Sequence, residues 1–228
     1  MEDESVGRYL LTGRSLSEYR AMFALTEADL RGRILDCPGG AASFAAEAAA
    51  LGAEVVAVDP VYRMPAAELT ALASTELDRN ASWTTASADR FVWAFYGDPE
   101  GHRRLRQTAA RRFAEDLRAN PRRYRFGMLP ALDFPDHAFD LVLSSHLLFT
   151  YADRLDFDFH LAALRELVRL TRREVRVFPL IDHSGERLDD LLARLRDVLS
   201  AEGIRSDITP VDFEFQRGST SVLRLTAS

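Results

Sequence analysis

Apolar residues fall along this chain in two alternating periods. Short runs dominated by apolar positions occur at Arg33 to Asp36, Glu54 to Val58, Phe139 to Ser145 and Glu174 to Leu180. Such runs mark strands buried on both faces of a parallel sheet. A weaker strand signal lies at Arg122 to Phe126. Between these runs, apolar residues three and four apart predict helices. Residues 15 to 30 place Tyr19 and Phe23 on one face, and 157 to 171 align Leu161, Leu164, Leu167 and Val168. The segment after Ser184 aligns Leu188, Leu191, Leu192, Leu195 and Leu199. Two last runs, Asp207 to Phe215 and Ser221 to Thr226, flank Gln216-Arg217-Gly218, a hairpin signal. The pattern predicts an α/β fold with a doubly wound, seven-stranded, mostly parallel sheet. The closing hairpin leaves no room for a crossover helix, so the last strand is expected antiparallel and inserted in the sheet.

Residues 60 to 121 break the alternation, being rich in helix formers and poor in strand signal. Asp98-Pro99 supplies a capping carboxylate and a proline suited to the first helical position, and Asn120-Pro121 supplies a stop. That stretch is long for a connector between two strands. It is expected to be a helical insertion after the second strand, serving as a lid or substrate-recognition element within one domain spanning residues 1 to 228.

The first strand runs into Pro38-Gly39-Gly40, an alanine-rich helix leaves that loop, and the second strand ends on Asp59. Glycines let the backbone approach a ligand, and a helix N-terminus offers free N–H groups. An acid about twenty residues on accepts hydrogen bonds from a ribose. The unit therefore points to an adenosine-bearing cofactor.

Composition narrows the classes. A chain of 228 residues, 47% hydrophobic and 28% charged, is that of an ordinary globular domain. No apolar run reaches the ~18 residues needed to span a bilayer, and the first residues, Met1 to Ser5, are acidic, unlike a secretory leader. One cysteine, Cys37, allows no internal disulfide, which fits a reducing cytoplasm. A net charge of −6 argues against general nucleic-acid or membrane binding. All 29 basic residues are arginine, so Schiff-base chemistry and lysine-bearing phosphate loops are excluded.

Several side chains carry candidate chemistry. In open parallel sheets, ligands bind beyond the carboxyl ends of the strands, where His146 follows the fourth strand as a candidate general base. Trp93 and Tyr96, three apart, are placed to stack on a planar substrate or to pack in the core. Arg104, Arg111 and Arg118 share a helix face, either solvated or facing an acidic substrate or an RNA phosphate. Asp153, Asp156, Asp158 and His160 resemble a metal cluster, but Asp156 or Asp158 more naturally caps the following helix, and no metal is expected. Cys37 lies near a helix N-terminus, yet lacks a neighbouring base and reads as a small loop residue.

Across residues 33 to 59 and 122 to 226 the chain resembles the class I S-adenosylmethionine-dependent methyltransferases. Their first motif, acid-x-Gly-x-Gly-x-Gly, is met by Asp36-Cys37-Pro38-Gly39-Gly40-Ala41-Ala42, with the acid and Gly40 in register. Asp59 matches their ribose-binding acid, and Leu132 to Val142 resembles the lead into their fourth strand. Counting back from there, Met128 holds the position where an adenine-binding acid is frequent; it offers a backbone N–H and an apolar wall. The resemblance implies S-adenosylmethionine as cofactor and direct in-line methyl transfer to a small molecule. It implies cofactor contacts from Asp36, beneath the loop and ordering N–H groups, and from Cys37, Pro38, Gly39, Gly40, Asp59, Pro60, Met128 and Ser144. Tyr19 would close over the cofactor, with Trp93, Tyr96 and Tyr151 toward the acceptor. Three alternatives stay open: a cofactor-binding protein without methyl transfer, an RNA-modifying methyltransferase, and an NAD-dependent oxidoreductase.

Overall fold

The computed structural model describes residues 10 to 227; the acidic residues 1 to 5 lie outside them. In chain order come α1 (Leu16–Phe23), β1 (Arg33–Asp36), α2 (Phe44–Ala50), β2 (Glu54–Val58), α3 (Ala66–Ala86), α4 (Pro99–Ala119), β3 (Tyr124–Arg125) and β4 (Phe139–Ser145). They are followed by α5 (Phe157–Leu170), β5 (Thr171–Phe178), α6 (Asp189–Ala201), β6 (Ile204–Pro210) and β7 (Ser221–Ala227). The strands form one seven-stranded sheet in the order β3-β2-β1-β4-β5-β7-β6. The β1–β2, β1–β4, β2–β3 and β4–β5 pairs are parallel. β7 runs antiparallel to both neighbours, β5 and β6, as a hairpin return wedged into the sheet must.

Strand alternation sorts side chains to the two faces. Ile34, Val55, Ala57, Leu141 and Leu143 join the core beneath α1 and α2. Leu35, Val56, Val58, Val142 and Val175 join the core beneath α5 and α6. The sheet is thus covered on both sides, and its carboxyl-end loops gather at one edge.

Several element ends differ from the sequence expectation for identifiable reasons. α1 stops at Phe23 because Ala24 takes a left-handed conformation, φ 49°. The Phe23 and Ala24 carbonyls then accept Arg176 Nη1, at 2.8 and 3.2 Å. β3 shrinks to two residues because Pro121–Arg123 forms a 3₁₀ turn. β6 ends at Pro210, and the chain beyond leaves the sheet: Phe213 and Phe215 pack on Tyr96 instead. α4 begins as expected, with Pro99 in its first turn and Asp98 Oδ1 accepting the Gly101 N–H at 2.6 Å. No helix among the described residues is long and apolar enough to cross a membrane.

Candidate functional site

The loop leaving β1 is built from its own backbone bonds. Gly39 N–H donates to Val58 O at 2.9 Å, Ala41 N–H to Thr12 O at 3.2 Å and Ser43 N–H to Arg14 O at 2.9 Å. Gly40 N–H donates to Asp59 Oδ2 at 2.9 Å, and Asp59 Oδ1 accepts the Val61 N–H at 3.0 Å. The N–H groups of the loop itself are thus spent within the fold, and donors for a ligand are left to the first turn of α2, Phe44 to Ala46. Both glycines are needed all the same. A Cβ on Gly39 would stand 2.6 Å from Tyr62 Oη and 2.9 Å from Ala57 Cβ, and Gly40 has φ +52°.

Two cavities open at the carboxyl ends of the strands. The first, about 260 Å³, is bounded by the Cys37-Pro38-Gly39-Gly40 loop, by Asp59 and Pro60, and by Met128 and Leu129. Tyr19 also lines it. The second, about 280 Å³, lies toward the α3–α4 insertion, with walls that include Trp83, Phe91, Tyr96 and Phe215. Leu10, Leu11, Thr12, Arg14, His146 and Tyr151 line both cavities and form their shared wall. A strap, residues 10 to 14, thus crosses the site. It is tied down by the Thr12 and Arg14 carbonyls, by Arg106 Nη1 donating to Gly13 O, and by Leu10 N–H donating to Tyr151 Oη at 2.8 Å.

Electrostatics differ sharply between the titratable residues around the two cavities. Asp59 is 7% exposed, and burial raises its pKa above the usual carboxylate range despite its two backbone donors. Asp36 is fully buried beneath the loop, where its carboxylate accepts Tyr19 Oη at 2.9 and 3.1 Å. Burial pushes its pKa well up. It orients a tyrosine, where the sequence suggested backbone N–H groups. Burial likewise pushes the Cys37 thiol well up, so it is no thiolate nucleophile.

His146 takes a left-handed backbone (φ 53°), donates its N–H to Phe178 O and shares a 2.7 Å hydrogen bond between Nδ1 and Ser145 Oγ. Burial, then the charges of Arg14 and Arg106, hold its pKa well below the ordinary histidine value. The same causes bring His102 down to about 2. Both rings are neutral in the folded protein at physiological pH. In the unfolded chain they would protonate below about pH 6.5. Stability present above that pH is therefore lost as the pH falls, because only the unfolded state takes up the protons. At pH 5 the loss is about 2 kcal/mol for His102 alone. Urea midpoints at pH 7 and pH 5 should show that slope, and His102→Gln should remove its share; parallel slopes would refute it.

The remaining sequence candidates fall apart spatially. Ser144 is buried, lines neither cavity, and leaves its Oγ without a partner among the described residues; Ser145, facing the other way, lines the first cavity instead. Trp93 lines neither cavity: its Nε1 donates to Ala88 O at 3.0 Å and its ring packs on Phe91, His102 and Phe215. The tryptophan that does line the second cavity is Trp83, ten residues earlier on α3, which helical spacing alone did not distinguish. Arg104 and Arg111 lie on the solvent side of α4, paired with Glu100 and Glu115, whereas Arg103 and Arg106 of the same helix line the second cavity. Asp156 caps α5, accepting Phe159 N–H at 2.8 Å, and both ring nitrogens of His160 face the carbonyls of Asp156 and Leu148. Residues 10 to 14 carried no sequence signal, since an irregular strap has no period.

No family model matches the chain. It is 29% identical over 218 residues to an uncharacterized protein of Methanocaldococcus jannaschii, with 94% of each chain covered. Among solved structures it is similar to the 1,6-didemethyltoxoflavin-N1-methyltransferase of Burkholderia thailandensis, which holds 1,6-didemethyltoxoflavin and S-adenosylhomocysteine. There the TM-score is 0.50 at 17% identity, covering 92% of this chain and 78% of that one. A magnesium protoporphyrin IX methyltransferase from Synechocystis with bound S-adenosylmethionine gives a TM-score of 0.46 at 16% identity, covering 93% and 78%. The strand order, the antiparallel β7 between β5 and β6, and the first of these structural matches agree: the chain has the fold of the class I S-adenosylmethionine-dependent methyltransferases.

Proposed function

We propose that the chain is an S-adenosylmethionine-dependent methyltransferase acting on a small molecule. The observation that carries this reading is the pair of cavities meeting at one wall, with Asp59 in the first and an aromatic chamber in the second. The residues of the first cavity suit the cofactor. Each Asp59 oxygen spends one lone pair on a backbone N–H and keeps another for a ribose hydroxyl. Met128, 63% exposed, and Leu129 offer an apolar wall for an adenine ring. When bound, S-adenosylmethionine supplies a methyl group on a sulfonium, whose sulfur leaves without needing a proton.

The chain's own task is then alignment, which contributes up to ~7–11 kcal/mol in well-oriented systems. His146 and Tyr151 stand on the shared wall, where an acceptor would meet the cofactor in line. Suppressed basicity suits His146 to orienting the acceptor through Nε2, which has no partner among the described residues, better than to holding a proton. The strap over the site excludes water, and the insertion at 60 to 121 frames the acceptor cavity and selects what enters.

Calorimetric titration with S-adenosylmethionine, S-adenosylhomocysteine and NAD tests the reading. The first two should bind at micromolar to low millimolar concentration and NAD should not. Binding of NAD alone would turn the reading to an oxidoreductase.

A further inference from the structure

The second cavity is lined by Arg14, Arg79, Arg90, Arg103 and Arg106, and by no aspartate or glutamate. In a chain of net charge −6 this concentration of one sign is local and specific. The arginines are not equivalent. Arg106 is satisfied, its Nη1 2.7 Å from Glu18 Oε1 and its Nε 3.1 Å from His102 Nε2. Arg79 and Arg103 pair with Glu76 and Glu100 nearer the surface. Arg14, on the wall shared by the two cavities, donates only to the neutral Thr12 Oγ1, at 2.6 Å, and has no carboxylate partner among the described residues. The nearby carboxylate, Glu18, is consumed by Arg106, Tyr96 and the cap of α1. Burial and the Arg106 charge lower the Arg14 pKa to about 10, so the guanidinium remains charged at neutral pH. A partly buried guanidinium with no carboxylate partner among the described residues is a place where an anionic ligand gains a charged hydrogen bond.

Aromatic rings line the same cavity. Phe91 and Phe215 stack at 4.5 Å and 14°, Phe215 stacks on the other side against His102 at 4.7 Å, and Trp83 meets Phe91 edge-on at 5.4 Å. Neutral His102 and His146 add no competing charge. We propose that the acceptor of this site is a planar aromatic acid, bound as its anion to Arg14 with its ring among the aromatic side chains of the cavity, Trp83, Phe91, Tyr96 and Phe215. This rests on the methyltransferase reading and names its substrate class. A carboxylate oxygen takes the methyl: an O–CH3 bond forms as the S–CH3 bond breaks, neutral S-adenosylhomocysteine leaves and the product is the methyl ester. No proton acceptor is needed, which agrees with the weakly basic His146.

The test uses the whole chain saturated with S-adenosylhomocysteine and follows tryptophan fluorescence, to which Trp83 in the cavity wall contributes. Probes are 2-naphthoate, indole-3-carboxylate and benzoate, each against its primary alcohol. At least one acid should bind about ten- to hundredfold more tightly than its alcohol, as a charged hydrogen-bonded pair implies. Arg14→Gln should lower the affinity for that acid about ten- to hundredfold while leaving the affinity for its alcohol within about threefold, and Arg14→Lys should retain part of the preference. Thermal melts of both variants check that they fold. Equal affinity for acids and alcohols, or no binding of any acid, would overturn the proposal. So would an Arg14→Gln variant that loses S-adenosylhomocysteine while keeping the acid preference, since Arg14 would then serve the cofactor. Failure of the wild type to bind S-adenosylhomocysteine is a separate outcome that removes the methyltransferase reading itself.

Discussion

Glu18→Ala is expected to destabilise the fold by about 3–5 kcal/mol, the cost of stranding a buried charge. Glu18 is 0% exposed, and its two oxygens serve four donors. Oε1 meets Arg106 Nη1 and Tyr96 Oη, each at 2.7 Å, and Oε2 receives the Ser15 N–H at 2.8 Å and the Ser15 Oγ at 3.0 Å. Truncation would leave the Arg106 guanidinium beside the Arg14 guanidinium with no carboxylate partner for either among the described residues. Glu18→Gln should cost less, because the amide oxygen can still accept while the charge is lost. Urea unfolding of both variants, read by circular dichroism, gives the comparison. A loss below about 1 kcal/mol for Glu18→Ala would mean that water reaches Arg106, contrary to the packing described.

Asp59→Ala is expected to weaken S-adenosylhomocysteine binding by on the order of 10²–10⁴-fold. Two hydrogen bonds from ribose hydroxyls to a carboxylate contribute about 1.5–3 kcal/mol each. The alanine also frees the Gly40 and Val61 N–H groups that Asp59 now holds, so the loop loses its anchor to the end of β2. Asp59→Asn should fall between, because one of its two terminal groups would face an N–H as a donor. Calorimetry with S-adenosylhomocysteine, alongside a thermal melt to confirm folding, decides the matter. An affinity within about threefold of wild type would remove Asp59 from the cofactor site.

Where the physics is local, the sequence carried it. β4 spans the expected Phe139–Ser145 because an apolar run of that length has no other place than a strand covered on both faces. β2 and the start of α4 follow for similarly local reasons, alternating burial in one and a side-chain cap in the other. β5 was expected from Glu174 but begins at Thr171, a residue the helical spacing assigns to the end of the preceding helix. The segment becomes strand because its charges find partners far away in the chain: Arg173 and Arg176 both reach Asp29.

The site divides in the same way. Cys37 to Gly40, Asp59, Pro60 and Met128 line one cavity because a strand-loop-helix unit sets their spacing within one segment or one neighbouring strand. Arg14 was invisible beforehand, because its lack of a carboxylate partner among the described residues depends on Glu18 being engaged by Arg106 and Tyr96, residues of a distant insertion. Trp83 and Trp93 are alike in sequence; only the packing of Phe215 against Trp93 decides which one faces the cavity.

The shared wall has a thermodynamic consequence. Because Thr12, Arg14, His146 and Tyr151 border both chambers, whatever fills one chamber becomes part of the other's boundary. The two occupants are then energetically linked. If the first changes the affinity for the second by some factor, the second must change the affinity for the first by the same factor. A strap pinned at Thr12, Gly13 and Arg14 is the element through which that reciprocity would act, tightening or loosening both chambers together.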